Sequence, residues 1–503
     1  MFWADSVAQE IIKSGKYKPY WVDDMFTPSG YAHVGSLRGP LVHDIVYKAL
    51  KDKTDKVKWT YVMNDFDPID GLPPELEEKF KKYYGLPVRV APSPEEGFDN
   101  YADYFAKDFQ KVLRNLGVES EFLSSWDMYH EGKFNEVIRI ALDNSEKIQD
   151  IYQKVSGSKK REKGWLPLQV ICEKCGKVGT TRVHDWDGKT VAYVCELEMV
   201  KLAKGCGHKS KISPFDGNGK LPWKVDWPAH WKVMGVTIEG AGKDHSSAGG
   251  SRDIAKELCA QVFNYPNPYN LPYEFFLIGG KKMSSSKGLG LKARELTDIL
   301  PSELGRFLFT KTDYKRAIEF DPVSTLAIPN LFDEYQKAAG AYFNKSNDDL
   351  ARSFELSQIG EIKKPPVVRF SILAQWVQMP NMEEEIKKQG LEEWAPYAKV
   401  YVDRFAAEEI KYKVKQEVPD QVKTFSKEQK QYLSFLAKQL DKKWEANEFQ
   451  KKLYEWAKEN NLSSTDAFRA IYISLLGKDY GPKAAWIILK EDKEFVKKRF
   501  NED

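Results

Sequence analysis

The sequence predicts a doubly wound, Rossmann-like α/β fold, split by an inserted module and followed by an all-helical C-terminal region. Three observations predict it. Residues 19–50 and 223–290 each read as strands that deliver polar or Gly-rich turns into helical stretches. Between them lie four cysteines with metal-ligand spacing. After about residue 325 strand-like runs fade and helical spacing takes over. At 503 residues the chain is long enough for several domains.

The first half of the fold is expected over residues 1–90. Tyr20 to Met25 reads as a strand, and Thr27-Pro28-Ser29-Gly30 is turn chemistry. Leu37, Leu41 and Ile45 recur every four residues, with Val42, Val46, Ala49 and Leu50 on the adjoining stripe, so an amphipathic helix faces the sheet. His33-Val34-Gly35-Ser36 therefore lies where a helix begins, beyond a strand. A helix start attracts anions, and Gly35 has no side chain to obstruct one. A histidine there serves equally as a cap. Trp59 to Met63 reads as the second strand and ends in Asn64-Asp65-Phe66-Asp67-Pro68. Those carboxylates either line a site at the C-terminal strand ends or cap a turn. Asp23 and Asp24 close the first strand and are candidate partners for a cation.

Residues 91–220 read as an insertion carrying a metal module at about 170–210. Cys172-Glu173-Lys174-Cys175-Gly176 places two thiolates on one tight turn, and Cys195 and Cys206 complete a four-thiolate set. His208, in Cys206-Gly207-His208, is a possible substitute for Cys195. Four protein ligands leave no open position, so the expected ion is a structural Zn²⁺. The N-terminus lacks a charged-then-apolar leader pattern, which disfavours disulfides and points to the cytoplasm. No run of about 18 apolar residues suggests a membrane span. Pro92 to Asp108 contains no Cys or His for a second metal, and Cys259 reads as core.

Residues 221–325 should return to strand–helix–strand, with a strand at Trp231 to Ile238, a loop at Gly240 to His245 and a helix from about Ser246. Phe275 to Ile278 reads as a buried strand feeding Gly279-Gly280-Lys281-Lys282-Met283-Ser284-Ser285-Ser286-Lys287-Gly288. Three lysines and three hydroxyls on a Gly-flanked loop suit phosphate oxygens, although a solvated basic turn has the same composition.

Residues 326–503 read as helical, with charged outer faces at Gln429 to Trp444 and Phe449 to Trp456. Aromatic and basic residues interleave at Lys411-Tyr412-Lys413 and Lys427 to Tyr432, a combination that suits unstacked RNA bases. Net charge is only +3, so the chain is no uniformly basic nucleic-acid coat and any RNA must be met by local patches.

His33-Val34-Gly35-Ser36 resembles the first signature of class I aminoacyl-tRNA synthetases, usually H-I-G-H. Lys282-Met283-Ser284-Ser285-Ser286 resembles the second, usually K-M-S-K-S. Ser36 and Ser285 depart from the usual residues, and Lys287 is displaced to the C-terminal side. Pro28 to Gly35, Gly242-Lys243-Asp244-His245 with Ala248-Gly249-Gly250, the cysteine segment, Gly279 to Gly288, and Leu476-Gly477-Lys478 with Gly481-Pro482-Lys483 are together similar to class I lysyl-tRNA synthetases.

The resemblance implies lysyl-adenylate formation from lysine and Mg²⁺-ATP, transfer to a tRNA 2′-hydroxyl, and an anticodon-binding domain in the helical region. It implies ATP contacts at His33, Gly35, Ser36, Gly242, Asp244, His245, Lys282, Met283, Ser284, Ser285 and Ser286, with His33, Lys282 and Lys287 carrying catalysis. It implies amino-acid contacts at Asp24, Thr27, Ser29, Gly30, Trp223, His245 and Tyr273. The residues by themselves leave open a glutamyl or arginyl enzyme, a smaller adenylyltransferase, and a non-catalytic zinc-containing RNA-binding relative.

Overall fold

The computed structural model describes residues 1–282, 291–379 and 382–502, with Lys282 described by its backbone alone. The chain forms two compact units, Met1–Asp321 with Lys337–Lys363 and Pro322–Gln336 with Lys364–Asp503. No helix of the described residues is long and apolar enough to cross a membrane.

The first unit is built on a parallel sheet. Strand β1 (Tyr20–Phe26) pairs along its whole length with β2 (Val57–Met63), in register from Tyr20 opposite Val57 to Phe26 opposite Met63. Strand β3 (Glu121–Ser124) continues the sheet beyond β2. It lies within the 91–220 stretch that reads as an insertion, yet β3 belongs to this sheet, and the helix Tyr101–Asn115 sets Phe109 against Phe26 and Tyr61 of β1 and β2. On the other side of β1, Ile238 bridges Val22 and Tyr269, both in parallel. The chain thus leaves β1 on one side and returns on the other. That reversal is the topological switch point at which open α/β sheets bind ligands.

Helix α1 (Trp3–Ser14) packs on helix α2 (Arg38–Lys51), and α2 packs on the sheet. Covered on both sides, α2 buries nearly every residue, including Leu41, Val42, Ile45, Val46 and Leu50. Each such side chain contributes about 1.5–3 kcal/mol. Its buried Asp44 pairs with the fully buried Arg306, at 2.6 Å. The Arg306 guanidinium also donates to the carbonyls of Leu356 and Leu116.

The first half of the strand expected at Trp231–Ile238 is instead helix. Trp223–Met234 is helical and ends at Gly235, whose φ of +85° is the left-handed conformation that closes a helix. Trp223, Trp227 and Trp231 recur every four residues and stack along one stripe, with centroids 5.5 and 5.0 Å apart. A run rich in residues that favour strands concealed that period. Only Thr237–Glu239 runs extended beside β1. The helix expected from Ser246 is a short turn at Lys243–Ser246, then Ser251–Leu258.

Phe276–Ile278 is a strand, with Phe276 buried and its two neighbours half-buried. It pairs in parallel with Ile318–Glu319 and in antiparallel with Lys281–Lys282. Gly279 and Gly280 form the two-residue hairpin between them, at φ +55° and +70°, a conformation glycine adopts without steric cost.

The second unit is helical among its described residues. Ser426 caps Lys427–Gln439 reciprocally with Gln429, Ser463 caps Ser464–Leu476, and Asp492 caps Lys493–Phe500. Tyr432 is fully buried and donates its hydroxyl to Leu453, so it packs the bundle and is not available to stack on an RNA base.

Candidate active site and metal centre

A pocket of about 190 Å³ opens at the switch point. Asp24, Met25, Phe26 and Thr27 reach it from the end of β1, and Asn64 from the end of β2. Glu239 to Gly242 reach it from the returning segment, and Trp223, Trp227, His245 and Tyr273 form its aromatic wall. Alternation along a strand sends Asp23 and Asp24 to opposite faces. Only Asp24 lines the pocket; Asp23 is fully buried and accepts the Thr60 hydroxyl. Burial, with Glu239 and Asp24 nearby, holds the Asp23 carboxyl well above the usual carboxylate range.

Asp24 lies 3.4 Å from Nδ1 of His43. The same nitrogen donates to the Gly39 carbonyl, while Nε2 accepts the Gly240 N–H, both at 2.8 Å. That pattern fixes His43 as the neutral Nδ1–H tautomer and anchors Gly240 to α2. Gly240 is sterically obligatory, since an added Cβ would lie 2.2 Å from the Leu271 carbonyl; at Gly39 it would lie 2.6 Å from Asp24 Oδ2 and displace that carboxylate.

Glu239 is the acidic residue that sequence reasoning missed. It is fully buried and accepts the indole N–H groups of Trp227, at 2.6 Å, and Trp231. Burial, with Asp24 adding repulsion, pushes its pKa up to about 7. The one available signal was its position, immediately after an apolar run and before a Gly-rich turn. The pocket therefore has two acidic side chains, neutral acceptors and an indole–imidazole wall in which Trp223 lies 5.1 Å from His245. Such a lining suits an alkyl chain that ends in a cation.

Of the residues expected to hold ligands, Asp24, Thr27, Trp223, Gly242, His245 and Tyr273 share this pocket. Ser29, Gly30, His33, Gly35, Ser36 and Asp244 do not line it. His33 caps the Val34–Leu37 turn, its Nδ1 accepting the Ser36 N–H at 3.1 Å. Asp65 is likewise a cap, accepting from Ser124, Ser125 and the Trp126 N–H. Asp67 instead reaches the pocket rim through Thr27.

The first signature segment is joined by backbone to the chain that follows the second. Val34 N–H donates to the Leu291 carbonyl and Ala293 N–H to the Ala32 carbonyl, both at 2.8 Å. The first segment thus holds the chain just after the second. Met283, Ser284, Ser285, Ser286 and Lys287, and the side chain of Lys282, lie outside the described residues.

The sulfurs of Cys172, Cys175, Cys195 and Cys206 lie within 4.8 Å of one another. Cys172 and Cys206 are 3.6 Å apart and Cys175 and Cys195 are 3.7 Å apart, far too long for disulfides. A tetrahedron with Zn–S bonds of 2.3 Å has edges of about 3.8 Å, so the donor set fits zinc. His208 is not in the cluster. Cys172 and Cys175 flank a turn closed from Gly176 N–H to the Cys172 carbonyl, Cys195 ends a strand, and Cys206 follows Gly205. A Cβ on Gly205 would lie 2.2 Å from the Glu196 carbonyl. Burial pushes the Cys175 thiol up to about 12, so a dication would be needed to hold four thiolates together. Cys259 is buried in the core.

Residues 1–360 match the family described as tRNA synthetases class I (K), and residues 382–502 match the anticodon binding domain. The lysine–tRNA ligase of Archaeoglobus fulgidus is 32% identical over 99% of both chains. That of Methanosarcina barkeri is 34% identical, covering 99% of this chain and 97% of its own. That of Methanocaldococcus jannaschii is 33% identical over 100% and 99%. A solved glutamate–tRNA ligase from Elizabethkingia meningosepticum aligns over 96% of this chain and 99% of its own, at 12% identity and a TM-score of 0.47.

Proposed function

The chain belongs to the class I tRNA synthetases for lysine, and we propose that the switch-point pocket selects lysine while the two signature segments hold ATP. The reaction joins lysine to tRNA at the expense of ATP, and the C-terminal unit carries an anticodon-binding domain. The reading of the pocket rests on one observation. Asp24 and Glu239 sit behind a wall of Trp223, Trp227, His245 and Tyr273. The wall covers the methylenes of lysine and the carboxylates meet its ammonium. Glutamate would put a third carboxylate against two.

Lysine supplies the nucleophile. Its carboxylate oxygen bonds to the ATP α-phosphorus, the bond to the bridging oxygen breaks, and pyrophosphate leaves with the electron pair. The 2′-hydroxyl of the tRNA's terminal adenosine then attacks the acyl carbon, loses its proton and expels AMP. The protein's task is positioning and charge stabilisation. Gly242, Asp244 and His245 contact the adenosine, and Gly35 with Ser36 the phosphates. His33 holds the turn that presents them. Lys282 and Lys287 offset charge gathering on pyrophosphate, assisted by the Mg²⁺ that ATP brings with it. The four thiolates hold a structural Zn²⁺. Such a reaction belongs in the cytoplasm, where tRNA and ATP are found.

Charging of total tRNA with each of the twenty amino acids separately, with Mg²⁺-ATP, tests the reading. Lysine alone should be attached. Attachment of another amino acid would overturn the pocket assignment, and binding of tRNA with no charging would favour a non-catalytic role.

A further inference from the structure

Thr27 and Asn64 line the pocket, and each donates a hydrogen bond to one carboxylate. Thr27 Oγ1 donates to Asp67 Oδ2 at 2.9 Å, and Asn64 Nδ2 donates to the same oxygen at 2.8 Å. A threonine hydroxyl has one proton, and an amide that turns its nitrogen to a carboxylate turns its oxygen away. Asn64 is 1% exposed, and its Oδ1 has no hydrogen-bond partner among the described residues. A buried acceptor left unmade is costly, so this oxygen awaits a donor.

Asp67 is itself held from behind. The buried Lys220 lies 3.3 Å from its Oδ1 and 2.6 Å from Asp226 Oδ2. Asp226 in turn accepts the Tyr129 hydroxyl and lies 3.4 Å from His230. Lys220 belongs to the short strand Gly219–Lys220, which pairs with Gln169–Val170 at the base of the cysteine module. No step of the reaction uses this network.

We propose that Asp67 is a positioning residue that sets the polarity of the amino-acid pocket: by accepting the hydrogen bonds of Thr27 and Asn64 it makes both of them acceptors for a substrate ammonium, with Lys220 fixing its orientation. This deepens the lysine reading and rests on it. A carbonyl or carboxylate oxygen at this point would face two acceptors, whereas an ammonium can donate to both; a hydroxyl, which donates or accepts, is indifferent to their polarity. Lysine carries two ammonium groups, and the test separates them.

The experiment is lysine charging of tRNA by the wild type and by Asp67→Asn, Thr27→Val and Thr27→Ser. Two analogues serve as competitive inhibitors: 6-hydroxynorleucine, which lacks the side-chain ammonium, and 6-aminohexanoate, which lacks the α-ammonium. Asp67→Asn can donate to Thr27 and Asn64 and so reverses their polarity. It should raise the lysine KM by about tenfold or more while changing kcat far less. The analogue lacking the ammonium read by these acceptors should bind the variant as it binds the wild type, and the other should weaken along with lysine. Either analogue in the unchanged role supports the proposal and identifies the ammonium. An unchanged KM, or equal weakening of lysine and both analogues, would overturn it. Thr27→Val should show the same split and carries the test if Asp67→Asn does not fold; Thr27→Ser, which keeps the hydroxyl, should lose less. A wild type that does not charge lysine would contradict the lysine reading, whereas a charging wild type with an unmoved KM in the variants would contradict this inference alone.

Discussion

The indole N–H of Trp227 lies 2.6 Å from Oε1 of Glu239, so one side chain of the pocket's aromatic wall also aims the carboxylate behind it. Wall and acid form one rigid unit, because Trp231 holds the second carboxylate oxygen from the next turn of the same helix. Apolar cover and charge recognition are therefore not separable by mutating that wall at random.

A pH dependence follows. Burial and Asp24 raise the pKa of Glu239 to about 7. The raised value means that the free protein favours protonated Glu239. This stabilisation is fully present below the carboxyl's ordinary pKa of about 4.3 and is lost as pH rises through about 7. A bound cation favours the ionised form. The lysine KM should therefore fall as pH rises from 6 to 8, by up to about tenfold per unit below the pKa, and Glu239→Gln should flatten the profile. A wild-type KM independent of pH over that range would count against Glu239 as the acceptor.

Trp223→Ala removes a half-buried edge of the wall while leaving the Glu239 contacts to Trp227 and Trp231 in place. Loss of a desolvated aromatic face over a cation is worth about 2 kcal/mol, or roughly thirtyfold. That loss should appear in the lysine KM, with the ATP KM little changed in steady-state charging assays.

Lys282→Ala should act on the rate. An electrostatic donor aimed at developing charge contributes about 3 kcal/mol, so single-turnover charging at saturating ATP should slow by about a hundredfold or more. A variant of normal rate would remove Lys282 from the leaving-group role.

Cys172→Ala should abolish bound zinc and lower the melting temperature, since the metal site ties together three separate segments of the module. Metal content by atomic absorption is the direct check, and an unchanged value would exclude Cys172 as a ligand.

Arg306→Met removes the closer of two cations from the buried Asp44, leaving Lys48 at 3.5 Å, and leaves the Leu356 carbonyl without its Arg306 donor. A loss of about 3–5 kcal/mol in denaturant unfolding is expected, although Arg306 lines no part of the pocket.

What the sequence revealed was local. α2 was legible because its 3.6-residue period is carried by contiguous residues, β1 because a short apolar run leads into turn residues, and the cysteine cluster because its first pair is fixed by one tight turn. Of the pocket's lining, Asp24 was named from its place at a strand end, and Thr27, Trp223, Gly242, His245 and Tyr273 from the family resemblance. Glu239 was not, because its neighbours were read as strand and loop and it fell between them. The helix Trp223–Met234 was read partly as strand because tryptophan stripes satisfy strand composition and helical spacing alike. The Asp67–Lys220 contact joins segments far apart in the chain, and no local pattern could announce it.

The most direct test of the account is the lysine kcat/KM of Glu239→Gln against the wild type at pH 8, in tRNA charging with saturating ATP. The substitution keeps size and an acceptor but removes the charge. A loss of at least about tenfold is expected, the order of a hydrogen bond to a charged group, carried mainly by KM. An unchanged kcat/KM would contradict the central claim that buried acid at the switch point selects the amino acid.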